Sequence, residues 1–152
     1  MAFHIITCIK AVATKTPANG ISRTADTAEL NPFDRIALER ALALAEERNG
    51  TVTVLSMGPE SCAFVLYEAM AMGADRGILL SDRRLADSDT LATSTALAAA
   101  IEKLAPCDLV IFGTRTADSD TGQVGPQTAV ALNLPLVTGV LSYEWNHHVC
   151  QV

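Results

Sequence analysis

Most of the residues able to do chemistry in this chain fall in one run, Gly113-Thr-Arg-Thr-Ala-Asp-Ser-Asp-Thr-Gly-Gln-Val-Gly-Pro-Gln127. It follows an apolar stretch, Leu109-Val-Ile-Phe112, that reads as a buried strand. It runs into Thr128-Ala-Val-Ala-Leu-Asn133, which reads as a helix. A loop that leaves the carboxyl end of a strand and feeds a helix N-terminus recognises anions through backbone N–H groups and the helix dipole. Gly113, Gly122 and Gly125 leave room for a group to approach the backbone. The expectation is a cradle for the phosphate of an adenine nucleotide. The N–H groups of Thr121, Gly122, Gln123, Val124 and Gly125 would surround it, with Thr121, Gln123 and Gln127 as uncharged donors.

Two carboxylates in the same loop, Asp118 and Asp120, would repel a phosphate unless they are engaged elsewhere. Asp120-Thr-Gly-Gln123 has capping-box spacing, so Asp120 is expected to cap the following helix. Asp118 is expected to cap the loop or to bind a ribose hydroxyl. A well-capped helix start without a ligand is the alternative that this loop leaves open.

No other motif competes. There is no G-x-G-x-x-G after the first strand, no Walker A sequence, no H-E-x-x-H and no G-x-S-x-G. The histidines are His4, at the head of a buried strand and expected to be structural, and the adjacent His147 and His148 in a turn, a poor metal site. Cys8, Cys62, Cys107 and Cys150 form no C-x-x-C pair and read as free thiols in a reducing compartment. Nucleophile, base and orienting group are not assembled, nor is a metal centre, so no catalytic residue and no metal site is expected.

Bulk composition narrows the class. At 152 residues the chain is expected to be a single domain over 1–152. Hydrophobic residues make up 49% and charged residues 18%, enough for a full core. Aromatics at 5% favour small-residue helices on a parallel sheet. A net charge of −6 excludes a nucleic-acid surface and an anionic-membrane surface, since each needs a basic face. No secretory leader and no apolar run of about 18 residues is present, so a soluble cytoplasmic protein without membrane insertion is expected.

The elements that would position the loop follow from apolar periodicity. Phe3 to Lys10 reads as a central strand, followed by a long polar stretch from Ala13 to Leu30 in which Asn19-Gly20 suggests a hairpin and Ile21 to Arg23 a minor strand. Asn31-Pro-Phe-Asp34 is a helix start, with Asn31 as cap, Pro32 at the first position and Asp34 reaching back. Its apolar stripe runs through Ile36, Leu38, Ala41, Leu42 and Ala45 to Asn49-Gly50. Then come a strand from Thr51 to Ser56, and a helix from Gly58-Pro59-Glu60 to Gly73 carrying Phe64, Val65, Tyr67, Ala69 and Met72. A strand from Arg76 to Leu80 and a helix capped by Asp89 and running to about Leu104 follow. After the focal loop and its helix, Pro135 to Thr138 reads as a fifth strand. Ser142 to Trp145 and His148 to Val152 read as a short hairpin. Strands alternating with helices predict a doubly wound, mainly parallel five-stranded sheet in a three-layer α/β/α sandwich. With the first strand central, the chain reverses direction between it and the strand ending at Phe112. Their carboxyl ends would border a crevice closed by Asn31-Pro32-Phe33 and Ser56-Met57-Gly58.

Several longer runs carry a resemblance. Asn31-Pro-Phe-Asp34, Leu55-Ser-Met-Gly-Pro59, Ala69-Met-Ala-Met-Gly-Ala-Asp-Arg76 and Ala117-Asp-Ser-Asp-Thr-Gly-Gln-Val-Gly-Pro126 occur in the order and spacing of the β subunit of electron-transfer flavoprotein. Cys8-Ile-Lys10 with Val12 looks like that family's first-strand ending. The chain resembles this family over essentially its whole length, which implies an adenine nucleotide alpha hydrolase-like fold. The resemblance also implies AMP, or a second FAD, in the crevice, and a heterodimer with an α subunit that carries FAD. That heterodimer takes electrons from dehydrogenases and passes them to a downstream acceptor. The positions matching the family's nucleotide site are Cys8, Asn31, Pro32, Phe33, Asp34, Met57, Asp118, Ser119, Asp120, Thr121, Gly122, Gln123, Val124, Gly125, Pro126, Gln127, Thr128 and Ala129. Family β subunits continue past the point where this chain stops, so a β subunit lacking its C-terminal part is expected. A stand-alone nucleotide-sensing module of universal-stress-protein type is the alternative. Gly122-x-x-Gly125 suits it, but Pro135 stands where a further glycine is expected. A pyrophosphate-cleaving hydrolase of the same fold would need a Ser-Gly-Gly loop after the first strand, which is missing.

Overall fold

The computed structural model describes residues 3–14, 23–146 and 149–152. Four parallel strands form the central sheet: β1 (His4–Cys8), β4 (Thr51–Met57), β5 (Arg76–Leu80) and β6 (Leu109–Phe112), in the order β5-β4-β1-β6. A short antiparallel pair, β2 (Ala11–Ala13) and β3 (Ala28–Leu30), leads into the first helix. Alternate residues of the buried strands serve opposite faces, as the two-residue strand period requires. Ile5, Val52 and Val54 pack with Leu38, Ala41 and Leu44 of α1 (Pro32–Arg48) and with Val65 and Ala69 of α2 (Phe64–Met72). Ile6, Cys8 and Leu55 pack with Leu97 and Ile101 of α3 (Thr90–Leu104) and with Val124 of α4 (Val124–Ala131). The result is the expected three-layer α/β/α architecture.

Local signals hold where the chain closes its own hydrogen bonds. The Asp89 carboxylate accepts from the Ala92 N–H at 2.8 Å and caps α3. Asn49, at φ 50°, ends α1, and Gly73, at φ 123°, ends α2. His4 is structural: Nδ1 lies 3.0 Å from the Pro106 carbonyl and Nε2 2.9 Å from Thr53 Oγ1.

Some expectations need correction. Pro135 to Thr138 is not a strand. That segment is exposed, and β6 is the edge of a four-stranded sheet among the described residues. Within the α1 stripe Ile36 is 59% exposed, and Ala37, Leu38, Ala41, Leu44 and Ala45 form the buried face. Tyr67 of α2 is likewise exposed. Asn19-Gly20 with Ile21 lies outside the described residues and Arg23 is not in a strand; the partner of β2 is β3. The last helix starts at Val124, four residues before Thr128, so Val124 to Gln127 are its first turn and not loop.

The hairpin formed by β7 (Glu144–Asn146) and β8 (Val149–Gln151) is present, although His147 and His148 lie outside the described residues. Arg48 and Phe3 fasten it to the domain through Trp145. The Arg48 guanidinium lies 5.3 Å from the Trp145 ring centroid and 5.9 Å from that of Phe3, and it donates to the Trp145 carbonyl at 3.0 Å. Phe3 and Trp145 meet edge to face at 5.3 Å. Trp145 is the only tryptophan, so its fluorescence reports this contact. Arg48→Ala is expected to cost about 1–2 kcal/mol in chemical denaturation and to shift the native-state tryptophan emission to the red.

Candidate functional site

The chain leaves β1 toward α1 on one face and leaves β6 toward α4 on the other. The carboxyl ends of these neighbouring parallel strands, Cys8 opposite Phe112, therefore meet at the switch point, where the topology predicts a crevice. Asp34, in the first turn of α1, holds this place together. Asp34 is 5% exposed, and its carboxylate accepts the Lys10 N–H at 2.8 Å and lies against Gly113. A Cβ on Gly113 would collide with the Asp34 carboxylate, lying also 2.8 Å from Phe33 C and 2.9 Å from Asp34 N. The docking of α1 thus leaves no room for a side chain at position 113. Asp34 does not take the backbone N–H of the cap residue Asn31, which is donated to the Lys10 carbonyl. Burial pushes its carboxyl up to about 7, against hydrogen bonds from Asn31, Lys10 and Gly113 that favour the ionised form.

Asn31 also works across the crevice. It makes no side-chain cap bond. Fully buried, its Nδ2 donates to the Arg115 carbonyl at 2.9 Å, and its Oδ1 accepts the Ala117 N–H at 3.2 Å. The amide stands in for a strand neighbour and sets the path of the focal loop. Pro32 follows at the exposed first helical position, and the Phe33 ring carries the Arg115 guanidinium at 4.8 Å from its centroid.

Asp120 is not a cap. It sits at φ 54° with its carboxylate 3.4 Å from Arg115 Nη1, well exposed. The N-cap position of α4 is Gln123, whose side chain caps nothing. Gly122, at φ 60°, takes the left-handed turn that frees the helix start. Among the described residues, the N–H groups of Thr121, Gly122, Val124 and Gly125 have no hydrogen-bonded acceptor; Pro126 has no N–H to leave open. The Gln123 N–H meets Thr121 Oγ1 at 3.4 Å. Gln123 and Gln127 turn their amide oxygens to Thr90 and Ser94 of α3, at 3.2 and 3.4 Å, so both are tied to a neighbouring helix. A Cβ on Gly125 would touch the Phe112 ring at 3.3 Å, so this glycine also serves packing.

Asp118 is neutralised by cations, not by a cap. Its side chain is 15% exposed and accepts from Lys10 Nζ at 2.8 Å and Arg23 Nη2 at 3.2 Å. Burial alone would raise its pKa, but the bond and charge of Lys10, with help from Thr116 and Arg23, hold it below the usual range. Ser119 pairs with Thr116 at 2.7 Å between hydroxyls. Thr128 is buried and donates to the Val124 carbonyl inside α4, and half-buried Ala129 follows it. Cys8 and Met57 end β1 and β4 and belong to the core on the α3 side. Burial, then the charges of Asp34 and Cys107, drives the Cys8 thiol far above its ordinary value, so it is a wall and not a nucleophile. The structure therefore brings Asn31, Phe33, Asp34 and the 118–125 segment together around β1 and β6. It adds three residues that motif reading missed: Lys10, Arg23 and Arg115. The usable signal was charge: two carboxylates placed where a phosphate is expected call for nearby cations, and Lys10 follows the central strand directly.

Comparison with known proteins places this arrangement in context. The family model described as the electron transfer flavoprotein domain matches residues 19–151. The protein FixA of Azorhizobium caulinodans is 46% identical over 148 residues, covering 90% of this chain and 52% of that protein. The electron transfer flavoprotein subunit beta of Megasphaera elsdenii is 51% identical over 115 residues, 71% of this chain and 43% of its own. The caffeyl-CoA reductase-Etf complex subunit CarD of Acetobacterium woodii is 50% identical over 112 residues, 73% and 43%. The chain spans about half the length of the curated relatives it matches. No helix among the described residues is long and apolar enough to cross a membrane.

The Asp34 clasp has two consequences that can be measured. Between about pH 4 and about 7 the folded state keeps Asp34 protonated while the unfolded chain ionises it, so the folded state binds the extra proton. Its contribution to stability therefore falls as pH rises through that window and levels off above it. Denaturation midpoints taken from pH 4 to 8 should show this slope, and Asp34→Asn should remove it whatever its absolute stability. Gly113→Ala, which drives a methyl into the clasp, should lower stability by about 1–3 kcal/mol in urea titrations.

Proposed function

This chain belongs to the electron transfer flavoprotein domain family, and we propose that it is the nucleotide-binding part of a β-type subunit. It binds AMP, or a second FAD, in the crevice between β1 and β6. It pairs with an FAD-carrying α subunit to pass electrons from dehydrogenases to a downstream acceptor in the cytoplasm. The observation that carries this reading is the donor set at the crevice. Four backbone N–H groups from Thr121 to Gly125 are without an acceptor among the described residues, in the same segment whose Asp118 and Asp120 pair with Lys10, Arg23 and Arg115, in a chain of net charge −6. Backbone donors at a helix start, backed by cations, suit a phosphate or a pyrophosphate.

Within that reading each residue has a physical task. Asp34 and Asn31 fix the two walls at their separation. Thr121, Gly122, Val124 and Gly125 present the N–H groups, and Phe33 with Arg115 forms a planar, positively charged surface at the rim. The flavin of the heterodimer supplies the redox chemistry, and this chain binds and orients without a nucleophile or base of its own. Sequence similarity to subunits named as electron transfer flavoprotein β supports the pairing with an α subunit.

Isothermal titration with AMP should show saturable binding that weakens as salt is raised, since part of the attraction is ionic. Thr121→Ala, which removes the exposed hydroxyl and leaves the backbone N–H in place, should weaken it by about tenfold or more, the worth of one hydrogen bond to a charged group. Absence of binding by AMP, ADP and FAD at millimolar concentration would overturn the proposal.

A further inference from the structure

Asp118 ties together three segments that are remote in sequence. Lys10 follows β1, Arg23 precedes β3, and Asp118 lies in the loop after β6; the two ion pairs span 108 and 95 residues of chain. Lys10 is held twice, its N–H by Asp34 from below and its ammonium by Asp118 from above. Arg23 in turn touches the segment after β4, where its carbonyl lies 3.8 Å from Cys62 Sγ. The tie therefore runs across the carboxyl ends of β6, β1 and β4, over the mouth of the crevice.

One carboxylate does not saturate these two cations. Arg23 uses a single nitrogen on Asp118, and its Nε is buried with no hydrogen-bond partner among the described residues. The Lys10 side chain is 34% exposed, with ammonium protons to spare. Two positive groups against one negative group leave the cluster net positive, while the protein carries −6. A phosphate offers more charge and more acceptor oxygens than a carboxylate, and it fits the guanidinium fork that Asp118 leaves half used.

We propose that Lys10, Asp118 and Arg23 form an anion-exchange latch over the crevice, in which an incoming phosphate takes the two cations and releases the Asp118 loop. The inference rests on the nucleotide reading for its ligand, but the latch itself requires only a phosphate. Asp118 is then a competitor of the ligand rather than a ribose contact. The cost of breaking two partly exposed ion pairs is small enough for a ligand to meet.

Hydrogen exchange of the amides at 10–14 and 113–119 tests it, with inorganic phosphate as probe and sodium chloride at matched ionic strength as control. Phosphate should speed exchange at 113–119 in the wild type and change nothing there in Asp118→Asn, whose loop is already untied; α1 core amides serve as the folding control. Asp118→Asn should also bind AMP about tenfold more tightly, and Arg23→Gln about tenfold more weakly. Unchanged exchange with phosphate, or weaker AMP binding by Asp118→Asn, would overturn the latch. If phosphate acts as described while AMP binds no better than phosphate, the latch stands and the nucleotide reading falls.

Discussion

One buried carboxylate decides the geometry on which everything else rests. Asp34 leaves the first turn of α1, accepts the Lys10 N–H just past β1 and lies against Gly113 just past β6. Parallel strands diverge at this point because their connections go to opposite faces, so something must bridge the gap. A carboxylate can accept two N–H groups at once, and a helix N-terminus tolerates its charge. The need to bury it explains the high pKa, and its bulk explains why position 113 has no side chain.

The rim of the crevice reverses the electrostatics of the chain as a whole. An acidic protein would ordinarily repel a phosphate, yet Lys10, Arg23 and Arg115 meet here from three separate segments. Asp118 and Asp120 keep those cations in place at close range, which limits repulsion between them. Arg115 is further held over Phe33, so its charge stays at the rim in a fixed plane. Steering by such a local field acts over roughly a Debye length, about 8–10 Å at ordinary salt, while net charge matters less at that range.

How far the residues could be read in advance follows from the range of the forces involved. Asp89 as a cap, Gly73 as a stop and the apolar strands were legible because each depends on neighbours within a few positions. The switch point between β1 and β6 was legible because handedness and strand order follow from the βαβ alternation. Ile36 was misread because a 3–4 repeat defines a face only to within one residue, and packing against the sheet selects among neighbours. Asp34, Asn31 and Asp120 were all misread in the same way. Each stands at capping spacing, and each bonds instead to a segment some distance away or to another side chain in its loop.

The sequence by itself determined the alternation of strands and helices, the expectation of an anion at the loop after Phe112, and the resemblance to a flavoprotein family. Those are properties of local composition and ordered motifs, which survive without coordinates. Only the tertiary structure decided what the polar residues bond to. Hydrogen bonds and ion pairs are satisfied by whichever group lies within about 3 Å, and partners 84 to 108 residues apart come within that reach only once the sheet has formed.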